Sequence, residues 1–72
     1  MTKSDYDNEK LSDLRESKGL TQAALAEIIG VSRFTIIRVE KGKQASWKLL
    51  KSLSKFYEIS IDDLLIAQKE TI

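Results

Sequence analysis

Arg33, Arg38, Lys41 and Lys43 are spaced along the run VSRFTIIRVEKGK, residues 31–43, with Phe34, Thr35 and Ile37 set among them. Arginine's planar fork can donate two parallel hydrogen bonds to guanine O6 and N7. A phenyl ring, an isoleucine or a threonine methyl can meet a thymine methyl. Lysines at the end of such a run suit phosphate oxygens. Gln22 stands upstream, where a side-chain amide and the N–H groups of a helix start could converge on a phosphate. These residue types point to recognition of a duplex rather than to bond making. The chain has no histidine and no cysteine, so imidazole bases, thiolate nucleophiles, disulfides and the usual zinc ligands are excluded. No paired acid and base, phosphate loop or metal-ligand cluster occurs at a meaningful spacing. An enzyme is not expected, nor is a cofactor or small-molecule ligand.

The formal net charge of +1 conceals a strong asymmetry. Residues 33–55 carry seven basic residues and one acid, a net +6, whereas the remainder carries five basic and ten acidic residues, a net −5. One end of the folded molecule should attract a polyanion and the other repel it. Lys48, Lys51 and Lys55 belong to the basic stretch, where they either add to this field or simply keep a helix soluble. Hydrophobic residues are 42% and charged residues 32% of the 72, which suits one small folded domain. The apolar segments are short and interrupted by charge, so no membrane span or signal-peptide core is expected and the cytoplasm is the default location.

The elements that position these groups read as helices. There is no proline, and Gly19, Gly30 and Gly42 each follow a periodic apolar segment, as a left-handed C-terminal residue should. The polar residues 1–7 read as a flexible lead-in and residues 68–72 as a loose tail, flanking a domain over 8–67. A first helix is predicted over about 8–18 with Leu11 and Leu14 inward, and a second from Thr21 as N-cap to about Ile29 with Leu25, Ala26 and Ile29 inward. A third spans Arg33 to Lys41 with Ser32 as N-cap. A fourth runs from Ser46 as N-cap to about Tyr57, burying Trp47, Leu50, Leu53 and Tyr57. A fifth starts at Ser60 and carries Leu64 and Leu65. The link of Gly30, Val31 and Ser32 is short enough to force a large crossing angle between the second and third helices. On the third helix Ile36 and Val39 mark the buried side, and Phe34, Ile37, Arg38 and Lys41 project about 130° to 170° away from it. Glu40 lies close to the buried stripe. Two placements fit Phe34, a groove contact or a fold back against the second helix.

The stretch LRESKGLTQAALAEIIGVSRFTIIRVEKGK, followed by LLKSLSKFYEISIDDLL, closely resembles the Xre-like helix-turn-helix family that includes the phage repressor and Cro proteins. The likeness covers about residues 11–65, with the elements LTQ, LA, GVS, TI, E and GK in order at the family's spacing. It implies an all-α, five-helix, lambda-repressor-like DNA-binding domain whose helix-turn-helix falls on about residues 22–41. The resemblance puts the family's phosphate-and-base glutamine on Gln22 and its base-reading positions on Arg33, Phe34, Ile37 and Arg38. Thr35, Lys41 and Lys43 from the residue reading and Ser32, for which capping alone accounts, complete the expected DNA-facing set. Arg15 and Glu40 match family positions that form a partly buried salt bridge, which removes both from the specificity residues. The segment GKQASW has Ala45 where the family usually has proline and is shorter than usual. Ile28, Ile37, Leu49 and Phe56 are hydrophobic where the family is commonly polar or small.

A core this small has little room for Phe56, Ile59, Ile61, Leu65 and Ile66 together, so these are expected to form a homodimer interface. The expected function is a sequence-specific, dimeric transcriptional regulator reading double-stranded DNA as an inverted repeat. Its rival is an antitoxin or protein-interaction adapter on the same fold, with a regulatory protein partner docking on Phe34 and Ile37.

Overall fold

Four of the five helix starts are set by a hydroxyl side chain whose oxygen accepts a backbone N–H of the first turn, the interaction that a helix N-terminus lacks within itself. A computed structural model of the protein describes residues 6–65, so residues 1–5 and 66–72, among them Ile66 and the 68–72 tail, lie outside the described residues. The order is α1 (Asn8–Ser17), α2 (Gln22–Ile29), α3 (Arg33–Glu40), α4 (Trp47–Tyr57) and α5 (Ile61–Leu64). Asp7 caps α1, and Thr21, Ser32, Ser46 and Ser60 cap α2 to α5. The all-helical architecture expected from the sequence is the one observed among the described residues, with an isolated antiparallel bridge between Tyr6 and Leu65 as the other backbone pairing.

Gly30 ends α2 at φ 89°, where a side chain would be strained. The chain then turns at once into α3, and these two helices make the most extensive contact in the molecule. The core between all five helices holds Leu11, Leu25, Ala26, Ile36, Val39, Leu50, Leu53, Tyr57 and Leu64, with Leu49 and Tyr6 also buried. Val31 packs against that core at the α2–α3 corner.

Two expectations are corrected. Tyr6, assigned by composition to a loose lead-in, is 3% exposed and belongs to the core, and Asp7 N–H donates to the Leu64 carbonyl at 2.8 Å. Trp47, expected inside, is 55% exposed. The inward stripe of α4 is carried by Leu49, Leu50, Leu53 and Tyr57, and at 100° per residue Trp47 lies about 105° from its centre. As the first residue of the helix, Trp47 also lies at the end of that stripe. Leu49, hydrophobic where the resembled family is commonly polar or small, is buried on that stripe.

Candidate nucleic-acid interface

The side chains of α3 divide by helical phase. Ile36 and Val39 are buried, while Arg33, Phe34 and Arg38 are exposed and Thr35 and Ile37 are half-buried. Phe34 is 72% exposed, so it is not folded back against α2. Ser32 caps the helix through the Thr35 N–H at 3.2 Å, and its hydroxyl also pairs with the Thr35 hydroxyl at 3.1 Å. Lys41 and Lys43 are exposed in the turn that follows, with Gly42 between them at φ 82°.

Behind this surface sits a buried ionic cluster. Arg15 Nε donates to Glu40 Oε2 at 2.8 Å, with the two side chains 12% and 6% exposed. Arg15 Nη1 also donates to the Leu20 carbonyl at 2.8 Å. The hydrogen bond to Glu40 raises the Arg15 pKa further, against the lowering effect of burial. Gln22 Nε2 donates to the other carboxylate oxygen of Glu40 at 3.1 Å. The first residue of α2 is therefore held against the last residue of α3, and its amide is oriented by an internal partner. No pattern in the sequence signals that link, because the two residues are 18 apart and face each other only once the turn has closed.

Sequence reasoning also missed the segment ahead of α1. The Tyr6 hydroxyl donates to the Val39 carbonyl at 3.0 Å and to the Lys43 carbonyl. Asn8 Nδ2 donates to the Glu40 carbonyl at 2.9 Å. A further basic surface lies on α4, where Trp47, Lys48, Lys51, Ser52 and Lys55 line a shallow depression of about 310 Å³. Phe56, Ile59, Ile61 and Leu65, the described members of the expected dimer set, are each partly buried against the core. The Lys18 ammonium lies 5.5 Å from the centre of the Phe56 ring. Among the described residues no group of three acidic, histidine or cysteine side chains is placed to hold a metal, and no helix is long and apolar enough to cross a membrane.

A family model described as Helix-turn-helix matches residues 11–64. The HTH-type transcriptional activator BcrR of Enterococcus faecalis is 46% identical over 63 residues, covering 86% of this chain and 31% of that protein. An uncharacterized HTH-type transcriptional regulator of Methanocaldococcus jannaschii is 44% identical over 85% of this chain and 94% of its own length. The cryptic phage CTXphi transcriptional repressor RstR of Vibrio cholerae is 36% identical over 86% of this chain and 56% of that protein. Among solved structures, Fe(II)-HppE with the alternative substrate (S)-1-HPP superimposes with a TM-score of 0.74 at 28% identity, over 90% of this chain and 34% of that one. The chain thus spans about a third of BcrR and of HppE, and nearly all of the archaeal regulator. With its matched region running from α1 to α5 and its sharp α2–α3 corner lying inside it, the chain belongs to the Xre-like helix-turn-helix family.

Proposed function

We propose that the protein is a sequence-specific regulator of transcription that binds double-stranded DNA with α3 in the major groove. The observation that carries this reading is the division of α3, in which Ile36 and Val39 are buried while Arg33, Phe34 and Arg38 face solvent. Arg33 and Arg38 take the role of base-reading groups, Phe34 and Ile37 with the Thr35 methyl contact thymine methyls, and Ser32 lies at the edge of this surface. Lys41 and Lys43 contact phosphates. Gln22 adds a phosphate contact through the amide hydrogen that Glu40 leaves unused.

A homodimer through Phe56, Ile59, Ile61, Leu65 and Ile66 would place two α3 helices roughly 34 Å apart, one duplex turn, and so read an inverted repeat. The relatives include both an activator and a repressor, so the direction of regulation is not a property of this domain. Selection of binding sites from random duplexes, followed by stoichiometry on the selected site, tests the reading. The expected product is a two-fold symmetric site bound by two chains.

A second reading is favoured by the apolar exposure itself. Phe34 is 72% and Ile28 54% exposed, a pair that also suits an adapter or antitoxin docking on a protein. Capture of a protein partner that Phe34→Ala releases, with no salt-dependent duplex binding, would decide for this alternative.

A further inference from the structure

The last carbonyls of a helix have no partner within it, and water, a cap or a side chain must supply one. In α3 the Glu40 carbonyl and the Val39 carbonyl, which also accepts the Gly42 N–H at 3.2 Å, are both met by side chains from one short segment far away in sequence. The Tyr6 hydroxyl donates to the carbonyl of Val39 and, as a bifurcated donor, to that of Lys43 in the following turn. Asn8 Nδ2 donates to the carbonyl of Glu40. The same segment is fastened on its other side to α5, through Asp7 N–H to the Leu64 carbonyl and through the Tyr6–Leu65 bridge. Tyr6 is 3% exposed, so its hydroxyl meets these carbonyls out of water. Residues 6–8 themselves lie ahead of residue 11, where the family match begins.

We propose that residues 6–8 form a clasp that fixes the end of α3 and the Lys41–Lys43 turn relative to α5, making Tyr6 a positioning residue for phosphate contact. The inference rests on the reading of Lys41 and Lys43 as phosphate ligands. A lysine on a loose turn must be ordered when it binds, and that ordering weakens the contact. The turn is closed on α3 by the Lys41, Gly42 and Lys43 N–H groups, which donate to the Arg38 and Val39 carbonyls, and Tyr6 adds a hold on its outgoing Lys43 carbonyl before DNA arrives. The clasp also links the end of α3 to α5, the side on which the proposed dimer forms, so spacing between two reading helices would depend on it.

The test is Tyr6→Phe in the full chain, which keeps the ring and removes the hydroxyl. Amide hydrogen exchange of the free protein should speed up at residues 41–43 by about tenfold or more, with α1 and α2 unchanged. On the selected duplex, affinity should fall about fivefold or more, and the slope of log affinity against log salt should become shallower by about 1, the signature of one lost phosphate contact. Leu53→Val, a core trim in the middle of α4, serves as the control for general destabilisation. Unchanged exchange at residues 41–43, or losses no different from those of the control, would overturn the clasp. If Tyr6→Phe does not fold, Asn8→Ala is measured in the same way, with the same outcomes deciding. If the parent protein binds no duplex, the functional reading fails while the exchange measurement still decides whether the clasp orders the turn.

Discussion

Arg15, Glu40 and Tyr57 share an interior where charge is expensive. Glu40 accepts from both Arg15 and Gln22, so deleting Arg15 leaves a buried carboxylate with a neutral amide in place of a charged partner. Arg15→Ala should destabilise the fold by about 3–5 kcal/mol in chemical denaturation, far more than a surface pair would. The Tyr57 hydroxyl is buried with no hydrogen-bond partner among the described residues. Burial, together with the Glu40 charge and against the opposing effect of Arg15, pushes its pKa up from 10.0 to about 12. The folded state therefore holds this proton more tightly than the unfolded chain. Stability from Tyr57 is complete below pH 10 and is lost as pH rises towards about 12. Burial raises Tyr6 in the same direction. Tyr57→Phe removes an unsatisfied hydroxyl, so at neutral pH it should change stability by no more than about 1 kcal/mol in either direction. Denaturation followed from pH 8 to pH 12 should show a shallower alkaline loss in the variant. Trp47→Ala should cost less than about 1 kcal/mol, against the 3–5 of a buried aromatic, because the ring is largely in water.

At the scale of helices, local chemistry is what the sequence reveals well. Thr21, Ser32, Ser46 and Ser60 each stand before an amphipathic run, and each caps the helix expected of it. Gly19, Gly30 and Gly42 all adopt the positive φ expected of helix ends. The end of α4 was less legible, because Glu58 takes the left-handed conformation at φ 59° without the glycine that normally signals it. Glu58→Gly should relieve this strain and raise stability by about 0.5–1 kcal/mol, readable as a higher melting temperature with unchanged helix content. Trp47 was misplaced because an aromatic near a periodic stripe looks buried until the phase of the whole helix is known. Tyr6 and Asn8 were missed for a different reason. Their partners lie 32 to 37 residues away, and no local pattern encodes a contact made only by the closed fold. Of the candidate site, the outward phase of α3 was readable from spacing, whereas the internal tether of Gln22 to Glu40 was not.

For the molecule as a whole, the proposed reading has charge supply the long-range attraction and shape the selectivity. The net +6 over residues 33–55 against −5 elsewhere predicts association that weakens steeply with salt, although the chain is nearly neutral overall. Lys48, Lys51 and Lys55 face away from the core of α4, beside Trp47, and on the proposed reading they add to that field without reading bases. Replacing all three by glutamine should weaken binding to selected and random duplexes alike, leaving their ratio within about twofold. A change in that ratio would show that α4 takes part in reading.

The central claim is that the outward groups of α3 read bases. It is tested most directly by titrating Arg33→Ala and Arg38→Ala against the selected duplex and a scrambled one at fixed salt. The account predicts that each loses about 1–3 kcal/mol on the selected site and much less on the scrambled one, with the preference relaxed at one base pair per half-site. Equal affinities of parent and variants for the selected site, or equal losses on both duplexes, would contradict it.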